Sequence, residues 1–159
     1  MTTSRRNGCE AGFTLIEVVC VLAIVAMLTA VLLPAIPRQT SRPRLEAYAV
    51  EAATLLKADR NAAIRRGLEV TTRIDTQARS IRSGTNGEAV RFPDDIRFET
   101  VLPQSCDDRP ALQTISFFGS GMSCGGVITL THLDAGYQIR VNWLTGRIEI
   151  VPNAGPSRR

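Results

Sequence analysis

The sequence predicts an α+β fold in which one long N-terminal helix packs on an antiparallel β-sheet. The first observation behind this prediction is an apolar run, in which Thr29 is the only clearly polar residue between Val18 and Leu33. The second is a following segment with helical periodicity. The third is a C-terminal half rich in β-forming residues and divided by Gly, Pro, Asn and Asp. A chain of 159 residues has room for this one modest domain and an anchor.

The apolar run predicts the first half of the helix. From Phe13 to Ile36 it would extend about 36 Å, which exceeds the roughly 30 Å hydrocarbon core of a bilayer. We therefore expect residues 13–37 to form a transmembrane segment. Pro34 and Pro37 predict a kink or interruption near its outer end.

The second half of the helix is predicted at residues 38–67, within a helix that runs from about Phe13 to Arg66. Apolar residues recur there at helical spacing, and the arginines before Gly67 are typical of a helix C-terminus. Because this half is amphipathic, its apolar stripe needs a partner.

A β domain is predicted at residues 68–151. Its strands are expected at 68–74, 89–92, 96–101, 113–118, 127–131, 137–143 and 147–151. Trp143 and Ile148 are interpreted as core residues and Gly146 as part of a hairpin turn. The tail, residues 152–159, is expected to be disordered.

The N-terminus is consistent with three interpretations. A cleaved secretory signal fits the basic start at Arg5 and Arg6, but the apolar core is too long for it. A plain signal anchor is the second interpretation, and the arginines on the two sides of the run do not decide its orientation. Neither explains Glu17, because a carboxylate near the start of a membrane helix is costly and needs a partner.

The third interpretation follows from the residues "GFTLIE", which resemble the type III signal of type IV pilins and of type II secretion pseudopilins. The resemblance implies that a prepilin peptidase cuts after Gly12, removes residues 1–12 and leaves Phe13 as an N-methylated terminus. It also implies that Glu17 meets the Phe13 amine of a neighbouring subunit during filament assembly. The alternative is a glutamate that only extends to the membrane interface.

A second resemblance lies in "FFGSGMSCGGVITLT" and "YQIRVNWLTGRIEI", which look like the C-terminal region of H-type minor pseudopilins (the GspH/FimT family). The resemblance implies a type IV pilin-like fold and a single-pass inner-membrane protein with a periplasmic domain. It implies a structural subunit at or near the tip of a pseudopilus that helps to export folded proteins. Its implied partners are other pseudopilins, the prepilin peptidase, and the secreted cargo or the outer-membrane channel.

The four cysteines fall in different predicted compartments. Cys9 belongs to the leader, and Cys20 lies inside the apolar helix as a small apolar residue. Cys106 and Cys124 flank the strand expected at 113–118. In a periplasmic domain we expect them to form a disulfide, and two free thiols are the alternative.

Catalysis, cofactors and metals are not expected. His132 is the only histidine, and Asp134 two residues later completes no recognisable catalytic arrangement. The acidic pairs at 94–95 and 107–108 lack a pattern of several oxygen ligands for calcium.

A minor type IV pilin that binds DNA for uptake is the alternative function. The formal charge of +4 comes mostly from interspersed arginines, which indicates a solvated surface rather than a nucleic-acid stripe. Arg147, Arg158 and Arg159 are the candidate phosphate contacts, although Glu149 lies between them.

Overall fold

The computed structural model describes residues 14–32 and 40–154. Helix α1 spans Leu15–Leu32, and helix α2 spans Arg42–Arg66. The chain divides into two compact units, residues 1–38 and 39–159, so α1 and the remaining elements are described separately. No helix in the described ranges combines the length and hydropathy needed to cross a membrane. The expected span at 13–37 and the kink at Pro34 and Pro37 extend into residues outside those ranges.

Helix α2 begins and ends where its sequence dictates. Pro43 lies in the first turn, where a missing N–H costs nothing. Gly67 ends the helix with a φ of 62°, the left-handed conformation that glycine adopts without strain. The buried face is built largely from small residues, so that the sheets approach the helix closely. Its buried members are Leu45, Ala49, Ala52, Ala53, Leu55, Leu56, Asp59, Ala62 and Ala63.

Ten strands follow α2 among the described residues of the second unit. They are β1 (Val70–Asp75), β2 (Ser80–Arg82), β3 (Ala89–Arg91), β4 (Arg97–Val101), β5 (Ser105–Cys106), β6 (Arg109–Pro110), β7 (Thr114–Phe117), β8 (Gly126–His132), β9 (Ala135–Val141) and β10 (Ile148–Ala154). The predicted α+β class, with a helix on antiparallel strands, is confirmed.

The strands form two four-stranded sheets rather than one. The first has the order β3-β2-β1-β7 and the second β10-β9-β8-β4, while β5 and β6 pair as a short ribbon. All the neighbouring strands are antiparallel. The chain passes from the first sheet to the second twice, between β3 and β4 and again between β7 and β8, where Gly125 and Gly126 adopt φ values of 74° and 150° and redirect it.

The core lies where α2 packs across both sheets. Ile74 and Ile115 come from the first sheet, Ile128 and Ile139 from the second, and all four side chains are buried. Helix α2 thus has the apolar partner that its periodicity required.

Three details differ from the sequence prediction. Thr40 and Ser41 are not helical, so α2 begins at Arg42 and the predicted unbroken helix from about Phe13 to Arg66 is wrong there. Strand β10 continues through Ala154 because its last residues keep their pairing with β9, as in Pro152 with Tyr137. The expected disordered tail therefore begins no earlier than residue 155, and residues 155–159 lie outside the described part of the chain. The short strands β2, β5 and β6 were not predicted, because two or three residues carry no measurable alternation.

Candidate functional site

The first candidate site is helix α1. Every side chain from Thr14 to Thr29 is exposed, including large apolar ones such as Leu15 and Met27. Glu17 lies in the first turn, where free backbone N–H groups favour a negative charge. Beside it, Val18, Val21 and Leu22 form a shallow apolar groove. A helix that is apolar all round needs lipid or other apolar chains to cover it.

The residues on the N-terminal side of this helix include the predicted processing site. Gly12 and Phe13 lie outside the described residues, as does Cys9. Cys20, within α1, is an exposed free thiol. The structure therefore places Glu17 on the helix but does not describe the two residues between which cleavage was predicted.

A second cluster holds the start of helix α2 to the second sheet. Asp95 accepts hydrogen bonds from the backbone N–H of Thr40 at 2.8 Å and from its hydroxyl at 3.0 Å. The Thr40 N–H, followed by its hydroxyl, lowers the pKa of Asp95. His132 lies beside them, with Nδ1 2.8 Å from the carbonyl oxygen of Asp95. The only histidine of the chain therefore packs beside the Thr40–Asp95 hydrogen bonds, which has a structural explanation.

A buried carboxylate, Asp59, was missed by the sequence analysis. Its side chain is fully buried in α2. It accepts hydrogen bonds from the hydroxyls of Thr72 at 2.6 Å and Ser83 at 2.5 Å, and from the amides of Gly84 and Thr85. The signal was present, because position 59 continues the apolar stripe of the helix, where a charge needs a partner.

The two sequence segments that resemble H-type pseudopilins meet at one end of the second unit. Arg60 of α2 donates from Nη2 to the carbonyl oxygen of Thr145 at 2.9 Å. A Cβ placed on Gly146 would clash with the carbonyl oxygen of Gly121 and lie 2.8 Å from Arg60 Nε. Gly146 has a φ of 61°, as expected for a turn residue. Gly146 is therefore needed both for the close approach of the two segments and for the turn.

Trp143 is exposed, and the prediction that it belongs to the core is wrong. Strand β9 ends at Val141, and Asn142 then accepts bonds at Oδ1 from the amides of Leu144 and Thr145. This turn starts two residues earlier than the sequence suggested, so Trp143 falls within it and 62% of its surface is accessible. Ile148 is buried, as predicted.

The structure joins Cys106 and Cys124 in a disulfide, with their Cα atoms 5.6 Å apart. The bond links the β5–β6 ribbon to the loop that precedes β8. Arg109 of the ribbon lies 3.5 Å from the Glu69 carboxylate and 3.3 Å from Asp107. Asp107 belongs to the turn of the ribbon itself, so the ribbon is held to the rest of the unit by the covalent bond and by one exposed ion pair, Arg109 with Glu69, of small worth.

The acidic pairs at 94–95 and 107–108 contact cations and hydroxyl groups of the same chain. Among the described residues no group of three or more His, Cys, Asp or Glu side chains is arranged to hold a metal ion. Asp94 pairs with Arg79, Asp95 with Thr40, and Asp107 with Arg109.

Of the three candidate DNA contacts, the described part of the chain includes Arg147 alone. Arg147 pairs with Glu149, with Nε 2.8 Å from Oε1. Arg158 and Arg159 lie outside the described residues. The one described cation of the three is therefore partly neutralised by its neighbour.

The N-terminal part of the chain matches a known sequence family. Residues 7–33 match the prokaryotic N-terminal methylation motif. Together with the α+β domain, the match places the chain among type IV pilin-like proteins. The chain is also 30% identical over 149 residues to type II secretion system protein H of Xanthomonas campestris pv. campestris, covering 92% of this chain and 86% of the relative. It therefore belongs to the H-type minor pseudopilin family, and the DNA-uptake alternative is not favoured.

Solved structures support the same fold. The minor pseudopilin EpsH of Vibrio cholerae aligns with a TM-score of 0.55 and 14% identity, over 74% of this chain and 99% of that chain. The type IV minor pilin FimU of Pseudomonas aeruginosa aligns with a TM-score of 0.55 and 16% identity, over 74% and 97%. At these identities the likeness is evidence of fold alone.

Proposed function

We propose that this chain is a minor pseudopilin of a type II secretion system. It serves as a structural subunit at or near the tip of a periplasmic pseudopilus that helps to export folded proteins across the outer membrane. The observation that carries the proposal is helix α1, whose exposed apolar surface bears Glu17 in its first turn, within the methylation motif. Such a helix is built to leave one apolar environment and enter another.

The processing steps follow from the residues before α1. Prepilin peptidase cuts between Gly12 and Phe13, and the new Phe13 amine is methylated. Before assembly the chain is a single-pass inner-membrane protein with its second unit in the periplasm. Its partners are the major and other minor pseudopilins, the peptidase during maturation, and the cargo or outer-membrane channel during secretion.

Glu17 supplies the charge that directs assembly. Cleavage creates a positive amine on Phe13, and a neighbouring subunit presents this amine to the Glu17 carboxylate. An unpaired charge in an apolar surrounding is costly, so pairing offsets the desolvation of both groups. Pairing between subunits then selects the correct register of neighbouring helices.

The test is Glu17→Ala in the full chain, expressed in cells that assemble the pseudopilus. The variant should insert and lose residues 1–12, which mass spectrometry would detect, yet be absent from the sheared filament fraction. Glu51→Ala, an exposed glutamate on α2, is the matched control and should assemble normally. Incorporation of Glu17→Ala at the wild-type level would refute the role of Glu17.

A further inference from the structure

Helix α2 and two turns form an exposed surface that is separate in sequence from α1, the helix proposed to direct assembly. Its apolar members are Ile64, Met122, Trp143 and Leu144, which are 41%, 38%, 62% and 55% exposed. We call these residues, with the cations Lys57, Arg60 and Arg140 around them, the turn surface. The contacts of Arg60 with Thr145 and of Ser123 with the carbonyl oxygen of Trp143, at 2.9 Å each, hold its parts together.

Two clefts cross the turn surface and share a wall. The first has a volume of about 600 Å³ and is lined by Lys57, Arg60 and Asn61 on the α2 side. The second, about 490 Å³, is lined by Arg140 and Trp143. Thr145 and Arg147 line both, so the turn at residues 142–147 is a ridge between a cationic cleft and a cleft with an aromatic wall.

The first cleft presents unsatisfied positive charge. No carboxylate of the described residues lies within ion-pair distance of Lys57 or Arg60. The Arg60 Nε is buried and has no hydrogen-bond partner in the described part of the chain. Because Gly146 lies against this atom, a carboxylate in the cleft would be attracted by the exposed Lys57 ammonium and by the charge of the Arg60 guanidinium rather than by Nε itself.

The second cleft presents an apolar anchor point on a stiff support. Asn142 Oδ1 accepts from the backbone of Leu144 and from the backbone and hydroxyl of Thr145, at 3.0–3.1 Å. These bonds fix the turn before any partner arrives, so binding would cost little ordering of the backbone. Trp and Arg are among the residue types that contribute most of the binding energy at protein interfaces.

We propose that the turn surface docks an acidic segment of a partner protein. Carboxylates of that segment enter the first cleft, and an adjacent apolar side chain covers Trp143 in the second. A nucleic-acid strand fits less well, because it carries a charge on every nucleotide and would meet Glu149, which lines the second cleft. A peptide can alternate charged and apolar side chains across the ridge.

Trp143 provides the measurement, because it is the single tryptophan of the chain. The full chain in detergent micelles would be titrated with a synthetic peptide that joins three glutamates to two leucines. We expect the Trp143 emission to shift to shorter wavelength as the apolar side chain covers the ring. Raising the salt concentration should weaken binding, because the contribution of the first cleft is electrostatic.

Variants separate this surface from general charge attraction. Lys57→Glu should weaken binding about tenfold, since it replaces one attraction with one repulsion. Arg73→Glu makes the same change on an exposed residue of β1 and should leave affinity unchanged. Circular dichroism would check that both variants remain folded.

Three outcomes would overturn the proposal. The first is equal binding of a peptide in which lysines replace the glutamates. The second is an equal loss of affinity in Lys57→Glu and Arg73→Glu. The third is tighter, Lys57-dependent binding of a DNA oligonucleotide of matched charge, which would identify the surface as a nucleic-acid site.

Discussion

Replacing the buried Asp59 with alanine should strongly destabilise the second unit. The carboxylate lies between α2 and the segment after β2, and it accepts four hydrogen bonds, from Thr72, Ser83, Gly84 and Thr85. Alanine would leave these donors facing an apolar space. Because the donors belong to β1 and to the loop at 83–85, the change would loosen the helix from the first sheet.

The expected magnitude follows from the burial of the donors. The two hydroxyl bonds are fully buried, and bonds to a charged acceptor each contribute about 1.5–3 kcal/mol. The amide bonds count for less, because the Thr85 N–H retains the Ser83 hydroxyl at 3.1 Å. We therefore expect Asp59→Ala to lower the free energy of unfolding by about 3–5 kcal/mol. Asp59→Asn keeps one acceptor oxygen and should cost about 2 kcal/mol.

Urea unfolding of residues 39–159, followed by circular dichroism, would measure this loss. Glu51→Ala, on the exposed side of the same helix, should change stability by less than about 0.5 kcal/mol. Combining Asp59→Ala with Ser83→Ala should cost less than the sum of the two single changes. A loss below about 1 kcal/mol for Asp59→Ala would show that water or rearrangement replaces these bonds and would refute the argument.

Three further predictions concern other parts of the second unit. Gly146→Ala should destabilise more than Gly87→Ala in urea unfolding. Both positions have positive φ and share a backbone cost of about 1–2 kcal/mol, but a Cβ meets other atoms only at Gly146; equal losses would contradict this. Cys106→Ser should remove the disulfide and about 3 kcal/mol for a separation of 18 residues, and an unchanged stability, or a wild-type mass without a two-dalton deficit, would argue against the bond. The pKa of Asp95 is lowered by Thr40, so its contribution to stability is complete above the unfolded value near 3.8 and is lost as pH falls through the folded value; Asp95→Asn should flatten the acid limb of the stability curve, and an unaltered limb would contradict that.

Much of the architecture could be predicted because it depends on local sequence. Helix α2 follows from its periodicity and from Gly67, and its C-terminal boundary is as expected. The longer strands appear within a few residues of their predicted limits. Ile148 is in the core because it alternates with the exposed Glu149 and lies on the same face of β10 as the partly buried Ile150.

The remaining features depend on contacts between distant residues. Trp143 is exposed because the Asn142 side chain ends β9, and apolar character alone gives no warning of such a turn. Asp59 is buried because residues 13 to 26 positions later supply its donors. The separation into two sheets depends on which edge β8 joins, and this choice is not encoded in the alternation of any single strand.

The order of strands in the first sheet has a consequence for biogenesis. Strand β1 lies between β2 and β7, and Val70 pairs with Phe117, although strands β2 to β6 lie between them in the sequence. Long-range pairing is slow to form, because the intervening chain must be ordered first. If the domain crosses the inner membrane starting from its N-terminal side, the edge of β1 that pairs with β7 stays unpaired until Phe117 has crossed. We therefore expect the translocating chain to need protection from aggregation during this interval, well before any filament contact is made.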